Sequence, residues 1–353
     1  MSIKHYKFVI LGGGLAGLAA AIGLAEKGAE PIVLEGGEYP CHKVCGEFLS
    51  PHSLRLLEKW DIHPVPIYRT HLHTPTKKLT MNFQTPAGSL SHYELDPALA
   101  NYARSKGAAI LTSAKVNHLI PAGNNSNFHE IILSTGEHLR AEHLIAAIGR
   151  LPQFNLTAPS SRYIGIKSHF SGINLDNALE MFSFPGAYLG LSPIENGKCN
   201  LACLAKKELV QSYPTVEAFM QALSRSNSHL GNHLFNAENL FPEWMQAWVP
   251  EFGIKKTPLW PNAYFIGDAA GTIPPACGNG LSMALTGGTL AAHYALKGDY
   301  QGFRNYWKNQ HRRKIFVGKL LNEIMLHPCY GNAFINLQYF FPKLGTFFFN
   351  LTR

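Results

Sequence analysis

The chain of 353 residues can hold one large core or two linked domains, and its hydrophobic content of 46% is ordinary for a globular protein. Six cysteines are too few for a disulfide framework at this length, and no run of about twenty apolar residues crosses a membrane, so a cytoplasmic protein is expected. The formal net charge is +8, but the sequence contains no helix-turn-helix, zinc-finger or RNA-binding motif. Neither a nucleic-acid partner nor a metal is expected.

The first predicted element is a βαβ unit over residues 6–35, with the sequence YKFVILGGGLAGLAAAIGLAEKGAEPIVLE. The apolar run 8–11 is typical of a strand buried on both faces. Gly12 permits a tight turn, Gly14 lets the backbone approach a pyrophosphate, and Gly17 lets the helix pack on the strand. This pattern predicts a dinucleotide site at the start of the chain.

The ends of this unit define the expected cofactor contacts. Phosphates are expected at the helix N-terminus, at Leu15 and Ala16, where the backbone N–H groups and the helix dipole stabilise negative charge. The second strand ends on Glu35, followed by Gly36. A carboxylate at this position accepts hydrogen bonds from a ribose diol and disfavours a ribose phosphate, which favours FAD or NAD over NADP. A secretion signal is the alternative interpretation, and the glycine turn argues against it.

The next segments alternate between loops, strands and helices. A loop over 36–51 leads to a short helix over 53–60, and the prolines within 62–93 predict short antiparallel strands. A helix is expected to begin with Asp96 as its N-cap and to end at Gly107. Further strands are predicted at 108–120, 130–134, 142–148 (ending in Gly149) and 263–271.

The middle third, from 160 to 205, alternates as a mostly antiparallel sheet of the kind that can cover a ligand site. A helix over 215–226 follows, and the last fifty residues are helical and rich in phenylalanine. The predicted fold class is therefore α/β, with a Rossmann-like nucleotide domain, an inserted and mostly antiparallel β-sheet substrate domain, and a helical C-terminus. The expected boundaries are 1–62, 94–150 and 255–300 for the nucleotide domain, 63–93 and 151–254 for the substrate domain, and 301–353 for a C-terminal cap.

A second motif, AYFIGDAAGTIPPACGNGLSMAL, occupies residues 263–285. A strand ends on Gly267 and Asp268, a proline turn follows, and a helix begins near Gly278. The Asp268 carboxylate can accept hydrogen bonds from hydroxyls, and the glycine-rich helix start offers backbone N–H groups to an electron-rich ring.

Together the two motifs resemble the superfamily of FAD-dependent monooxygenases and geranylgeranyl reductases, the para-hydroxybenzoate-hydroxylase-like flavoproteins. The resemblance covers residues 6 to about 300. It implies that Asp268 binds the ribityl chain of FAD. The pyrimidine end of the flavin would then lie against Gly278, Asn279, Gly280 and Leu281.

The resemblance also places the segment KVCGEFLSP, 43–51, beside the isoalloxazine ring. It adds Lys43, Val44, Cys45, Gly46 and Gly149 to the implied FAD contacts. The catalytic candidates are Lys43, Cys45, Glu47 and Pro275. The implied substrate-lining residues are His169, Tyr188 and Pro193.

The favoured function is an FAD-dependent monooxygenase that hydroxylates or epoxidises an apolar or aromatic molecule, free or carrier-bound, through a flavin hydroperoxide. NADPH or NADH would supply electrons directly, or a separate flavin reductase would do so. The alternatives are a reductase of isoprenoid double bonds, a flavin halogenase, and an FAD-stabilised binding protein without turnover. The stretch AAIGRLPQ, 146–153, stands where the aromatic hydroxylases carry a DG motif.

Three features remain open at the level of sequence. Cys41 and Cys45 form either a redox pair or separate loop thiols. Lys43 and Glu47 act on the flavin or substrate, or they form a simple ion pair. The Phe-rich C-terminus and the basic cluster before it form a packed cap with a solvated face, a dimer surface, or a contact with an anionic membrane or acidic carrier. The basic cluster comprises Lys308, His311, Arg312, Arg313, Lys314 and Lys319.

Overall fold

The computed structural model of the protein describes residues 3–123, 126–149, 162–342, 345 and 351. The described residues form eighteen strands, numbered in chain order. The strands are β1 (Lys4–Leu11), β2 (Ile32–Leu34), β3 (Phe48–Leu49), β4 (Val65–His73), β5 (Lys78–Ser89), β6 (Ala109–Leu111), β7 (Val116–Ile120), β8 (His129–Leu133), β9 (His138–Ala146), β10 (Tyr163–Ser171), β11 (Ala178–Phe184), β12 (Ala187–Pro193), β13 (Cys199–Lys206), β14 (Glu238–Asn239), β15 (Met245–Val249), β16 (Gly253–Ile254), β17 (Ala263–Phe265) and β18 (Gly271–Thr272).

The described α-helices are concentrated in three parts of the chain, with the longest ones after residue 280. They are α1 (Leu15–Ala25), α2 (Pro51–Lys59), α3 (His92–Ser105), α4 (Lys207–Gln211), α5 (Val216–Ser226), α6 (Ser228–Phe235), α7 (Gly280–Lys297), α8 (Tyr300–Leu326) and α9 (Pro328–Phe340).

The first sheet has the strand order β6-β2-β1-β9-β8-β7, and β17 also pairs with β9. Strands β1, β2, β6, β9 and β17 are parallel, whereas β7 and β8 add an antiparallel edge. Four apolar residues of β1, 8–11, are buried, as a parallel strand covered on both faces requires. Helix α1 has ten buried residues out of eleven, because it lies between this sheet and α7.

The second sheet has the order β14-β10-β13-β12-β11-β4-β5-β3, and β15 pairs with β10. Most neighbours are antiparallel, but β11 pairs with β4 in parallel. Its core is separate from that of the first sheet and includes Ile166, Phe182 and Leu201. The predicted α/β fold class, with a second and mostly antiparallel sheet and a helical C-terminus, is confirmed.

Three predicted elements differ from the structure. Residues 62–93 form two long strands, β4 and β5, because Pro66 and Pro86 are accommodated within them. The strand predicted over 108–120 is two strands, β6 and β7, interrupted by a turn in which Ser113 has a φ of 52°. Helix α3 begins with Ser91 as its N-cap rather than Asp96, and Pro97 lies inside it.

Candidate active site

A cavity of about 1070 Å³ lies where the carboxyl ends of β1, β2 and β9 face the second sheet and the C-terminal helices. This edge of a parallel sheet is where open α/β folds bind ligands. The volume is at the upper limit of an ordinary small-molecule pocket, roughly 300–1,000 Å³. The cavity therefore has room for a dinucleotide together with part of a second molecule.

The glycine turn forms one end of this cavity. Gly12 has a φ of 97°, and a Cβ atom there would lie 2.4 Å from the Ala147 carbonyl oxygen. Gly14 is the N-cap of α1, and no described side chain caps this helix start. Its first turn is thus available to phosphate oxygens. Gly17 lies behind the turn, where a Cβ atom would meet the Gly12 carbonyl oxygen at 2.0 Å.

Glu35 directly follows β2 and lines the cavity. Its carboxylate accepts hydrogen bonds from the backbone N–H of Gly13 at 2.6 Å and of Gly37 at 2.8 Å. The Tyr39 hydroxyl donates to the Gly13 carbonyl at 2.5 Å, which ties the glycine turn to the segment after β2. The carboxylate is held at the cavity wall, where a ribose diol can donate to it.

The second motif forms the opposite wall. Gly267 and Asp268 lie in a 3-10 turn after β17, and both line the cavity. Gly278 has a φ of 58° and precedes α7, and a Cβ atom there would clash with the Phe48 ring at 2.7 Å. Asn279 is buried just outside the lining, where its side-chain oxygen accepts a hydrogen bond from Ser50 at 3.2 Å.

Most of the sequence-predicted cofactor contacts line this one cavity. They are Gly12, Gly14, Leu15, Ala16, Glu35, Gly36, Lys43, Val44, Cys45, Gly46, Gly149, Gly267, Asp268, Gly278, Gly280 and Leu281. The catalytic candidates Glu47 and Pro275 also line it. Residues 150–153 of the predicted AAIGRLPQ stretch are outside the described residues.

A network of polar groups connects the cavity wall to α3. The His92 imidazole Nδ1 lies 2.8 Å from Asp96 Oδ1, and Lys43 Nζ lies 2.5 Å from Asp96 Oδ2. On its other side His92 contacts the Cys45 thiol. Cys45, Lys43 and His92 all line the cavity, so this network of polar groups ends at the cavity wall.

The charges of neighbouring groups determine the protonation states of His92, Cys45 and Asp96. Burial opposes the imidazolium form of His92, but Asp96 and Cys45 favour it more strongly and raise its pKa to about 9. Burial alone would raise the pKa of the Cys45 thiol, yet hydrogen bonding and charge from His92, together with the backbone N–H of Glu47, lower it overall. In the same way, His92 and Lys43 outweigh burial and lower the pKa of Asp96. Cys45 and His92 therefore share protons as a coupled pair.

A second buried network holds the turn after Cys45. Glu47 has a φ of 54° and is fully buried, and its carboxylate pairs with Lys167 Nζ and with His169 Nε2 at 2.9 Å. It also accepts the backbone N–H of His92 at 2.8 Å. Burial opposes the carboxylate, but His169 and Lys167 outweigh it and lower the pKa of Glu47. Lys43 therefore pairs with Asp96 and Glu47 pairs with Lys167, so the two residues do not pair with each other.

Of the three residues expected to line the substrate, one lines the cavity. Tyr188 lines the cavity, and its hydroxyl is buried with no hydrogen-bond partner in the described structure. His169 points instead to Glu47, and Pro193 ends β12 outside the described lining. The rest of this end is apolar, and its lining includes Leu72, Met81, Phe83, Leu179, Met181, Leu321, Ile324, Met325 and Phe334.

The other cysteine thiols do not belong to the polar network of Cys45 and His92. Cys41 and Cys45 are both free in the structure, and burial raises the pKa of Cys41. Cys199 and Cys203 are buried in β13, and no group of described histidine, cysteine and acidic residues has the arrangement of a metal site. No described helix is long and apolar enough to span a membrane.

Three residues of the site are not predicted from the sequence. His92 and Lys167 are not singled out, and Asp96 is expected only as a helix cap. The sequence pattern around Asp96 predicts a helix cap instead, and single histidine or lysine residues carry no local pattern. The alternation of β10 signals a strand but not that Lys167 points inward to Glu47.

Comparisons with known proteins agree with this geometry. A sequence family described as an FAD binding domain matches residues 7–45. A menaquinone reductase of Mycolicibacterium smegmatis is 22% identical over 324 residues, which span 85% of this chain and 78% of that protein.

Two solved structures share the fold. A geranylgeranyl bacteriochlorophyll reductase-like protein of Thermoplasma acidophilum superposes with a TM-score of 0.76 at 19% identity, over 92% of this chain and 88% of that one. The Pseudomonas aeruginosa protein PqsL, a probable FAD-dependent monooxygenase, superposes with a TM-score of 0.76 at 14% identity, over 94% and 99%. The glycine turn, Glu35 and Asp268 fit FAD, and FAD is the cofactor of this cavity.

Proposed function

We propose that this protein, an FAD-dependent oxidoreductase, reduces a carbon–carbon double bond of an apolar, isoprenoid-type substrate. An FAD binding domain matches residues 7–45, and the fold is similar to that of a geranylgeranyl reductase-like protein and of a probable FAD-dependent monooxygenase. The observation that carries the proposal is the Cys45–His92 pair, which has a lowered thiol pKa and a raised imidazole pKa at the cavity wall. Reduction of a double bond needs a hydride at one carbon and a proton at the other.

FAD, once reduced, supplies the hydride. The coupled Cys45–His92 pair supplies the proton, so that two carbon–hydrogen bonds form and the double bond becomes single. Loss of this proton leaves a thiolate next to a neutral imidazole, and solvent restores the proton afterwards. Asp96, ion-paired with Lys43, compensates the positive charge on His92 while the proton is held there.

The apolar end of the cavity supports the substrate class. Its lining is formed by leucine, methionine and phenylalanine side chains, which suit an isoprenoid chain. The Tyr188 hydroxyl is the polar exception, and it would donate to a carbonyl or hydroxyl oxygen at the head of the substrate. The name of the mycobacterial relative, a menaquinone reductase, agrees with such a substrate.

A monooxygenase is the second candidate, and the likeness to PqsL favours it. An oxygenase generates a strong oxidant inside its cavity, and thiolates are oxidised readily by peroxides. The thiol of Cys45, with its lowered pKa, would be exposed to that oxidant, and this is the reason to place the reductase first. NADPH or NADH remains the proposed electron donor, directly or through a flavin reductase.

The test is an anaerobic half-reaction. The FAD-loaded protein is reduced with NADPH, NADH or dithionite, and is then mixed without oxygen with a short-chain menaquinone or a geranylgeranyl lipid. We expect the oxidised flavin band to return and the isoprenoid chain of the product to keep two added hydrogen atoms after any quinol has been reoxidised to the quinone. A product that gains one oxygen atom, formed only after air is admitted, would instead identify the oxygenase. Halide incorporation would identify a halogenase, and full biological activity without FAD would identify a binding protein.

The matched variants are Cys45→Ala and Cys329→Ala. Removing the thiol beside the flavin is expected to slow the oxidative half-reaction by about a hundredfold, the usual lower range for a general acid. Cys329 is exposed on α9 and away from the cavity, so its variant is expected to react at the wild-type rate. Equal rates for both variants would contradict the role of Cys45.

A further inference from the structure

The C-terminal helices expose an unusual concentration of large apolar side chains. Seventeen such side chains are exposed in the described residues, and eight of them fall between 306 and 341. These eight are Tyr306, Phe316, Leu320, Tyr330, Leu337, Tyr339, Phe340 and Phe341. Phe316 is 72% exposed and Phe340 is 78% exposed. Nearly half of the exposed large apolar groups thus lie in about a tenth of the chain, and soluble monomers rarely leave such an area uncovered.

Basic side chains surround the apolar residues on α8. At 100° per residue, Arg312, Arg313, Lys319 and Leu320 lie within about 60° of Phe316 around the helix, and the three cationic residues are exposed. Helix α9, with the sequence PCYGNAFINLQYF, contains no charged residue at all. The surface therefore combines an apolar centre with cations beside it.

The same two helices close the apolar end of the cavity. Leu321, Ile324 and Met325 of α8 and Phe334 of α9 line it. One side of this helix pair thus faces the cavity, while other side chains of the same helices are apolar and exposed. A ligand that enters past these helices meets apolar groups both outside and inside.

We propose that the exposed residues of α8 and α9 form a docking surface for an anionic lipid bilayer. Aromatic and aliphatic side chains would enter the boundary between headgroups and acyl chains, and Arg312, Arg313 and Lys319 would contact anionic headgroups. The inference rests on the proposed function in one respect, since the bilayer would be the source of the apolar substrate.

Charge complementarity favours the bilayer over a second copy of the chain. A twofold symmetric contact places the same patch on both partners, so Arg312 and Arg313 would face cations of the same kind. Anionic lipid provides the opposite charge together with an apolar interior. The single acidic residue of α8, Glu323, lies beyond the basic residues and 3.4 Å from His327 Nε2, and one acid per copy does not offset three cations.

The test is vesicle flotation with the FAD-loaded protein and no substrate. We expect binding to vesicles of equal parts phosphatidylglycerol and phosphatidylcholine, at least tenfold weaker binding to pure phosphatidylcholine, and weaker binding as salt rises. The double variant Phe316→Ser/Phe340→Ser is expected to weaken binding by about tenfold or more. The variant Arg312→Glu/Arg313→Glu is expected to abolish the preference for anionic vesicles.

Phe235→Ser is the matched control, because Phe235 is 85% exposed on α6, outside the proposed surface. It is expected to bind vesicles as the wild type does. Failure of the wild type to bind anionic vesicles, or an equal loss of binding in the control, would overturn the proposal. A dimer in sedimentation that is lost in the Phe316→Ser/Phe340→Ser variant would also overturn it. Anaerobic turnover of detergent-dispersed substrate should be unchanged in the surface variants, which separates failure of docking from failure of the proposed reduction.

Discussion

At the Cys45 thiol, burial raises the pKa, but the His92 imidazole and the Glu47 backbone N–H together lower it by more. We predict that His92→Asn raises the pKa of this thiol, because the partner that stabilises the thiolate is lost. The measurement is the rate of iodoacetamide labelling against pH, followed by peptide mass spectrometry, with the exposed Cys329 in the same sample as the reference. An unchanged labelling profile at Cys45 would show that His92 does not control it.

The unpartnered Tyr188 hydroxyl gives a second prediction at this scale. A buried hydroxyl without a partner costs about 1–3 kcal/mol, and a substrate oxygen would remove that cost. Tyr188→Phe is expected to raise KM about tenfold, to leave FAD affinity unchanged, and to leave the free protein as stable or more so. Tyr68→Phe, at an exposed position of β4, is the control. A lower KM in Tyr188→Phe would refute hydrogen bonding to the substrate.

At the scale of elements, the crossing of α1 and α7 depends on glycine. A Cβ atom at Gly288 would lie 2.2 Å from the Ala16 carbonyl oxygen, which is backbone and cannot rotate away. We predict that Gly288→Ala lowers the free energy of unfolding by about 3 kcal/mol and weakens FAD binding, since Ala16 is part of the phosphate turn.

Gly287 in the same helix provides the comparison for this prediction. A Cβ atom there would be 3.5 Å from Trp307 Nε1, an ordinary contact. Gly287→Ala should therefore be neutral or add up to about 1 kcal/mol, the usual gain of alanine over glycine in a helix. Thermal and urea unfolding of both variants decide the point, and equal stabilities would contradict the close approach.

The start of α3 shows how far local sequence rules reach. The glycine turn, the acid after β2 and the second motif could be predicted because each depends on neighbours in sequence. Ser91 and Glu94 are also a local signal, a capping box, and the Ser91 hydroxyl does accept the Glu94 N–H at 3.3 Å. The prediction of Asp96 as the cap overlooks this signal. That Asp96 pairs with His92 and Lys43 instead depends on packing between distant segments, which no local pattern reveals.

At the scale of the whole molecule, buried histidines determine how stability depends on acid. Burial lowers the pKa of His129 and of His311 to about 4 each. An unfolded histidine titrates near 6.5, so between pH 6.5 and 4 the unfolded chain binds more protons than the folded one. Stability is therefore fully present above pH 6.5 and is lost as pH falls, by about 1.4 kcal/mol per pH unit for each histidine.

Urea unfolding between pH 7 and 4.5 measures this dependence. His129 accepts the Ala122 N–H through Nδ1 and contacts the Pro261 carbonyl through Nε2. His129→Gln keeps some of this bonding but does not titrate, so the pH slope should fall by about one proton. A slope equal to that of the wild type would mean that His129 is not the group responsible.

His92 has the opposite sign and adds an alkaline limit. Its pKa of about 9 lies above the unfolded value, so its contribution is fully present below pH 6.5 and is lost as pH rises through 9. The Cys45 thiol acts in the opposite sense, because its lowered pKa contributes stability above the unfolded thiol value of about 8.5. Urea unfolding of Cys45→Ala at pH 6.5 and 9 isolates the His92 contribution and should show the alkaline loss, which the double variant Cys45→Ala/His92→Asn should lack.

The packing of α1 against α7 also has a consequence for synthesis on the ribosome. Gly280, the first residue of α7, follows Ala25, the last residue of α1, by 255 residues. At about 5–20 residues per second, roughly 13–50 seconds pass between the synthesis of α1, which is almost wholly apolar, and the synthesis of the helix that covers it. During that interval the nascent chain exposes a surface that chaperones recognise, and the cofactor turn lacks its support until translation is nearly complete.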